Sequence, residues 1–296
     1  MGDVVPDMNS HAARPLTAGL RRLLLVASVL VLLAGIPLYL GTEQTDLYFA
    51  WTVKPPITAA FLGAAYWASC VLEFLSARER LWARARLAVP AVLVFTTLML
   101  LATLLHLDRF QFDSPNVVAR GVTWAWLAIY VGVPPAALVL LIRQLRVPGG
   151  DPPRLAPLPV WMRLALAVHA AVMIALGVAL LLAPRTAAVL WPWMLTPLTA
   201  RAVGAWLAGL GVAAAAAWWE NDFVRARVGF ITYALLAALQ FVALVRFPGA
   251  LDWSLPGSWL YVVFLLSIFV VGAYGWSSAR RIDTVSRNPA LERRHR

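Results

Sequence analysis

Residues 48–86 read YFAWTVKPPITAAFLGAAYWASCVLEFLSARERLWARAR, and residues 190–227 repeat the pattern as LWPWMLTPLTARAVGAWLAGLGVAAAAAWWENDFVRAR. Matching residues lie 142 positions apart up to the shared proline and 141 apart after it. Shared apolar composition does not explain matches that include Trp, Pro, Gly, Glu and Arg. The sequence therefore contains one unit written twice, with the pairs Arg21/Arg163, Gly35/Gly177, Trp51/Trp193, Pro55/Pro197, Thr58/Thr199, Gly63/Gly204, Ala64/Ala205, Glu79/Glu220, Arg84/Arg225, Ala85/Ala226 and Arg86/Arg227.

Composition sets the class of protein. With 61% hydrophobic residues, 13% charged residues and a mean hydropathy of +0.76, the chain lies far outside the range of soluble proteins. Its apolar residues form runs of about 20, long enough for a helix to cross a ~30 Å hydrocarbon core, and they lack the alternation of β-barrel strands. We therefore expect an all-α integral membrane protein with eight transmembrane helices, at 22–40, 56–76, 87–107, 122–143, 161–183, 199–219, 227–247 and 258–277.

The basic residues are distributed unevenly between the loops. With a cytoplasmic N-terminus, 19 of the 25 Lys and Arg residues lie on the cytoplasmic side and 6 on the outer side. This bias is the positive-inside signature, and it predicts the cytoplasmic membrane with both termini in the cytoplasm. The net charge of +11 is thus mainly a topology signal, with attraction to anionic lipid headgroups as a second effect. It does not indicate a nucleic-acid partner.

Each copy has four spans, so both copies enter the membrane in the same direction. We expect two parallel four-helix repeats related by an axis along the membrane normal, with the Gly-containing second and sixth spans at the centre. The two ends of the chain are polar, and we expect them to be poorly ordered. The predicted segments are a cytoplasmic N-terminal segment 1–18, the first repeat 19–146, a Pro/Gly linker 147–159, the second repeat 160–281 and a basic tail 282–296.

The outer segment before the second span of each copy is the strongest candidate site. Trp51 and Pro55 in the first copy correspond to Trp193 and Pro197 in the second. The prolines prevent an earlier helix start, and the aromatic residues either cap a cavity or hold a tight interfacial turn. Most of the 14 Trp residues are expected at the two membrane interfaces.

The inner loops carry a second shared pattern, in which a Glu precedes two Arg residues by five and seven positions. Such loops either lock neighbouring spans together through ion pairs or only fix the topology, since exposed pairs contribute less than about 1 kcal/mol. The candidate residues are Glu79, Arg84, Glu220 and Arg225.

Four polar residues within spans are functional candidates by default. One of them, Arg201, lies two residues inside the sixth span, close enough to the end to reach the outer surface. Glu73 lies near the inner end of its span, close enough to extend toward water. His169 lies deepest, and we interpret it as a structural hydrogen-bonding residue. Gln240 on the seventh span is neutral and forms strong hydrogen bonds.

A further cluster, LLHLDRF at 104–110, places His106, Asp108 and Arg109 at the outer boundary. His106 and His169 differ by roughly 15 Å in depth, so they cannot ligate one haem. The lone Cys70 lies within a span and is read as a small apolar residue. The sequence contains no phosphate-binding loop and no hydrolase or metalloprotease motif. We expect no metal, cofactor or catalytic residue.

The entry PPITAAFLGA at 55–64, the Arg-rich inner loop and LLHLDRF together resemble an uncharacterised group of multi-span membrane proteins from high-GC bacteria. The resemblance covers mainly residues 50–145. It implies the membrane fold and no activity.

Two functions fit these features. The first is a transporter or binding protein for a small apolar or lipid-like molecule held between the repeats, since the spans carry few polar groups. The second is a non-catalytic accessory or assembly subunit whose helices pack against a membrane-protein partner. An intramembrane enzyme is the third alternative.

Overall fold

A computed structural model describes residues 13–287, with side chains up to residue 284. This part of the chain is helical and contains no β-strand, only three isolated bridges. Seven helices are long and apolar enough to cross a membrane, and an eighth of 17 residues is apolar but shorter. The chain therefore has the fold of a multi-pass helical membrane protein. These eight helices are α1 (Ala18–Tyr39), α2 (Pro56–Arg78), α3 (Ala88–Leu104), α4 (Val117–Leu145), α5 (Val160–Leu182), α6 (Pro197–Glu220), α7 (Arg227–Arg246) and α8 (Pro256–Arg287), and the connections between them contain helical segments of three or four residues.

Local sequence sets where the helices begin and end. α2 and α6 begin at prolines, as predicted from their entry segments, because proline has no N–H to leave unpaired at the first helical position. The Thr196 hydroxyl caps α6 by accepting a hydrogen bond from the Thr199 amide at 3.3 Å. α6 ends at Asn221, whose left-handed conformation (φ 44°) stops the helix.

Two differences from the predicted boundaries lie near the ends of the chain. Residues 13–17 are held by hydrogen bonds, since the Arg14 amide donates to Gly150 O and the Leu16 amide donates to Arg80 O, both at 2.9 Å. The expectation of poor order therefore does not hold for this part of the N-terminal segment. α8 continues to Arg287, ten residues beyond the predicted span, and the rest of the predicted basic tail lies outside the described residues.

The helices pack in matched pairs. Within each half of the chain the first helix packs against the second, α1 on α2 and α5 on α6, and the third packs against the fourth, α3 on α4 and α7 on α8. Between the halves, α3 packs on α6 and α7 packs on α2. Every principal contact therefore has a counterpart in the other half.

α2 and α6 are the two most buried of the seven long helices, as expected from their small residues. They meet where Tyr66 and Trp206 lie edge to face, with ring centroids 4.9 Å apart. Trp206 also stacks on Phe95 of α3 at 3.8 Å. The centre of the protein is thus a packed aromatic core.

Glycine permits close contact between α5 and α6. A Cβ atom on Gly204 would lie 2.7 Å from Gly177 O, and one on Gly177 would lie 2.8 Å from Gly204 O. Both glycines belong to the sequence repeat. In the first half, a Cβ atom on Gly63 would lie 2.6 Å from Tyr39 N, so α1 and α2 also approach through a repeat glycine.

We predict that Gly204→Ala destabilises the protein by about 1–3 kcal/mol, because the new methyl group forces two helix backbones apart. Gly132→Ala is the control, since a Cβ atom there meets nothing within 4 Å, and removal of glycine from a helix is neutral or stabilising by up to about 1 kcal/mol. Thermal unfolding in detergent measures both. Equal melting temperatures for the two variants would contradict this packing.

Candidate functional site

An apolar cavity of about 400 Å³ lies between α2, α5, α6, α7, α8 and the connection that precedes α6. Phe61, Met173 and Phe264 are typical of its lining, in which Gln240 is the most polar side chain. The exposed large side chains of its lining are Val172 of α5, Leu260 of α8 and Leu190 of the connection before α6. The cavity therefore opens on the side of the helix bundle, between α5 and α8 near the end where α6 begins. The sequence placed such a cavity between the repeats, but here only Phe61 comes from the first half.

Gln240 bridges three helices at this cavity. Its Nε2 donates to Phe61 O of α2 at 3.1 Å, and its Oε1 accepts from the Tyr261 hydroxyl of α8 at 3.4 Å. An amide nitrogen carries two hydrogens, so one donor remains after the bond to Phe61. Trp191, also in the lining, has a buried Nε1 without a hydrogen-bond partner among residues 13–287. The cavity is therefore apolar, and two of its lining residues carry an N–H group that no described residue accepts.

Trp191 belongs to an aromatic segment that the sequence assigned to the membrane interface. Trp193, in the same segment, donates from Nε1 to the Thr58 hydroxyl at 2.9 Å and so joins the two halves. It also contacts Trp191 and Tyr261, with centroids 5.1 and 5.4 Å apart.

In the first half, Trp51 packs on Trp126 at 4.9 Å. All four Trp residues, Trp51, Trp126, Trp191 and Trp193, are buried. The expectation that they anchor the protein at the lipid surface is therefore wrong. The reason is that the connecting segments fold inward over the helix ends; Ala50 O, for example, accepts from the Gln111 amide at 3.1 Å.

His169 lies one turn before Met173 of the cavity lining and links α5 to α8. Its Nε2 lies 2.8 Å from the Ser267 hydroxyl, which itself donates to Phe264 O at 2.7 Å. A hydroxyl has one hydrogen to donate, so Ser267 accepts from His169, and the Nε2–H tautomer follows. This geometry fits the structural role inferred from the sequence.

Glu73 differs from the sequence interpretation. It is 2% exposed, its Oε1 accepts from the Ser69 hydroxyl at 3.1 Å, and its Oε2 has no partner among the described residues. It does not extend to water, because α2 continues to Arg78 and the side chain faces other helices. Burial of this carboxyl group with a single hydrogen bond is therefore costly.

A polar pocket of about 900 Å³ lies at the end of the bundle where α6 begins. It brings together five of the candidate site residues with two arginines: Arg201, which the sequence placed just inside the sixth span, and Arg185, which the sequence did not select. The candidates are Trp51, His106, Asp108, Arg109 and Pro197. Pro55, from the same group, lines a neighbouring cleft with Lys54.

His106 and Arg201, both half-buried, form a hydrogen bond within this polar pocket. Arg201 donates from Nη1 to His106 Nε2 at 2.6 Å and from Nε to Leu181 O at 3.1 Å. Loss of solvent, followed by the charge of Arg201, lowers the pKa of His106, so the neutral ring accepts the bond. Asp108 and Arg109 pair at 3.0 Å, largely exposed to solvent.

At the opposite end, which we call the arginine-rich end, the shared loop pattern forms reciprocal ion pairs. Arg86 donates to both carboxylate oxygens of Glu220, with Nη2 to Oε2 at 2.6 Å. Arg227, the repeat counterpart of Arg86, donates to Glu79 at 2.7 Å. Within each copy the arginine follows the glutamate by seven positions, but each of these arginines binds the glutamate of the other copy. The sequence selected both glutamates but neither of these arginines.

Each reciprocal pair extends into a cluster of two arginines and two acids. In the first cluster, Asp151 lies 2.6 Å from Arg86 and 3.8 Å from Arg225, which also bonds Glu220 at 3.1 Å. Burial lowers the pKa of Arg86, but its bonds with Glu220 and Asp151 outweigh this effect and raise the pKa above its ordinary value.

The second cluster has the same composition. Asp283 lies 3.0 Å from Arg227 and 3.8 Å from Arg84. Equal numbers of arginines and acids thus meet in each cluster, and all four candidates of the inner loops take part.

Asp222 is a buried residue that sequence reasoning missed. It is 1% exposed and accepts from four backbone amides, those of Val224 and Arg225 in its own loop and of Leu155 and Ala156 in the linker. These bonds, of 2.6–3.0 Å, attach the linker to the end of α6. An Asn–Asp pair directly after a helical run is the signal for such a loop.

The comparisons with known proteins give no relative: no protein-family model, curated protein or solved structure matches this chain. Function must therefore be inferred from the sites themselves.

We predict that Arg86→Gln costs about 3 kcal/mol of stability, toward the value for breaking a buried pair, because Glu220 is left with one partner. Arg227→Gln removes a more exposed pair and has a smaller effect. Arg146→Gln is the control at the same end, since Arg146 is exposed and forms no ion pair within residues 13–284; surface changes usually stay within about 0.5 kcal/mol. The free energy of unfolding in detergent measures all three variants. Equal values for the three would refute the pairing.

We also predict that acidification weakens the polar pocket. Because the folded protein has a lowered His106 pKa, it binds fewer protons than the unfolded chain, and stability falls as pH drops through about 6.5. His106→Gln keeps an acceptor for Arg201 but cannot take up a proton. The change in melting temperature between pH 7.5 and 5.5 should be smaller in this variant than in the wild type. If the two proteins show the same change, His106 is not the cause of the pH dependence.

Proposed function

We propose that this chain is an eight-span protein of the cytoplasmic membrane, built from two parallel four-helix repeats. We further propose that it is a transporter or binding protein for a small apolar or lipid-like molecule. The observation that carries the functional part is the apolar cavity that opens laterally between α5 and α8.

The contacts of α3 support eight spans. The residue just before α3, Arg86, bonds Glu220 at the end of α6, and His106, just after α3, bonds Arg201 near the start of α6. α3 therefore runs antiparallel along nearly the whole of α6. Its 17 residues give about 26 Å of helix, close to the thickness of the hydrocarbon core.

Matched contacts support the parallel repeats. Helix pairs within and between the halves occur twice, and the Arg–Glu pairs are reciprocal between repeat positions. With four spans per repeat, both termini lie at the arginine-rich end. The positive-inside bias of the sequence assigns this end to the cytoplasm, so the apolar cavity lies toward the outer side, near Trp191.

The chemistry of the cavity favours an apolar ligand with a polar group. Gln240 and Trp191 offer N–H donors in an otherwise apolar wall, an arrangement typical of sites in which a few polar groups orient a mostly apolar molecule. A fatty acyl chain or a comparable lipid fits a cavity that opens sideways, because such a molecule enters from the bilayer.

In the first half, aromatic side chains pack closely at the corresponding position. Trp126 of α4 contacts Trp51 there, as Tyr261 of α8 contacts Trp193 in the second half. Trp126 also packs on Phe49 at 5.3 Å and on Tyr130 at 4.4 Å. In the second half, Trp191 and Tyr261 of the corresponding group line the apolar cavity. This difference favours one ligand per chain.

Photolabelling with a palmitic acid that carries a diazirine in its chain tests the proposal. In nanodiscs, the wild type should be labelled within residues 257–268. Leu260→Trp narrows the mouth and should reduce labelling about fivefold or more, given a steric cost of about 1–3 kcal/mol. Leu164→Trp is the matched control. Leu164 is 62% exposed, similar to Leu260 at 68%, but it lies outside the lining of the cavity.

Equal labelling in both variants would indicate contact with general lipid and would refute the cavity as a binding site. Mass spectrometry of the protein extracted without detergent distinguishes this function from that of an accessory or assembly subunit. A stoichiometric protein partner, with no lipid retained in the cavity, would favour an accessory subunit instead.

A further inference from the structure

A second cleft, at the arginine-rich end, lies over the start of α7 between α2 and α8. Its volume is about 970 Å³. We call it the basic cleft. Five arginines line it, with Glu79 as the one acid in the lining: Arg78, Arg80, Arg84, Arg227 and Arg280.

The charges of the basic cleft are only partly balanced. Arg227 bonds Glu79 and Asp283, and Arg84 lies 3.8 Å from Asp283. The other three arginines, Arg78, Arg80 and Arg280, form no ion pair within residues 13–284 and are exposed. Three guanidinium groups are therefore free to bind an anion at the rim, while the ion pairs fix the arginines behind them.

The floor and walls of the basic cleft are apolar. Val228 and Ile231 of α7 lie between Leu75 of α2 and Trp276 of α8. The guanidinium of Arg280 lies 5.0 Å from the Trp276 ring centroid, and that of Arg78 lies 5.6 Å from the Phe74 ring centroid. Charged groups are thus held beside apolar surface at one end of the membrane-spanning helices.

We infer that the basic cleft binds an anionic phospholipid, with its phosphate on Arg78, Arg80 and Arg280 and its acyl chains on the surface formed by α7. Planar guanidinium groups match phosphate oxygens in geometry and charge. Basic pockets between helices at the cytoplasmic side bind anionic headgroups in this way. A soluble anion gains no binding energy from the apolar floor, whereas the acyl chains of a lipid do. The site lies at the opposite end from the start of α6 and does not depend on the apolar cavity.

Native mass spectrometry of delipidated protein tests this inference, with phosphatidylglycerol and phosphatidylcholine of identical acyl chains as probes. The wild type should retain phosphatidylglycerol preferentially. The triple variant Arg78→Gln, Arg80→Gln, Arg280→Gln should lose this preference, by about fivefold in affinity for each guanidinium removed.

The control is the triple variant Arg22→Gln, Arg143→Gln, Arg146→Gln. It removes the same charge near the same end, from exposed arginines without ion pairs within residues 13–284, and should bind phosphatidylglycerol like the wild type. Thermal unfolding establishes that both triple variants fold.

Equal losses in the two triple variants would mean that only general positive charge acts, and would overturn the site. So would a wild type with no preference between the lipids. Displacement of phosphatidylglycerol by inorganic phosphate at comparable concentration would assign the cleft to a soluble anion and not to a lipid.

Discussion

The reciprocal pairs Arg86–Glu220 and Arg227–Glu79 are the interaction on which the assembly of the two halves depends. Between membrane helices there is little hydrophobic driving force, because lipid chains are as apolar as the side chains they replace. Packing and polar contacts must therefore hold the halves together. Here each half supplies an arginine to the other half's glutamate, at the ends of the helices that pack across the interface: α3 on α6 and α7 on α2. The two ion pairs thus hold one end of each of the two helix contacts between the halves.

The two cross-half contacts are secured differently at their other ends. α3 and α6 are joined there by the His106–Arg201 hydrogen bond, and between the two ends Phe95 stacks on Trp206. α7 is tied to the first half through backbone carbonyls: Gln240 donates to Phe61 O, and Arg246 donates to Tyr39 O at 2.5 Å. The apolar cavity adjoins this second contact, because both Gln240 and Phe61 line it.

Sequence reasoning predicted the elements with strong local signals. The prolines before the second and sixth spans gave the helix starts, and the repeat gave the pattern of loop charges. It failed where a side chain's surroundings come from distant segments. Glu73 was expected near water and is buried, and Trp51 and Trp193 were expected at lipid and lie inside the protein. Arg86 and Arg227 were not selected, because the spacing within one copy does not show which glutamate an arginine binds, and their partners lie in the other copy.

The position of Gln240 links the proposed ligand to the interface between the halves. Its amide already donates to Phe61 O and accepts from Tyr261, so an acceptor group on a ligand takes the remaining N–H or competes with Phe61 for the first one. In the second case α7 loses a hydrogen bond to α2 while the Arg227–Glu79 pair at the far end of α7 remains. Occupancy of the cavity would then loosen α7 at one end only. A ligand that competes in this way would shift the protein toward the looser arrangement only as far as it binds that arrangement more tightly.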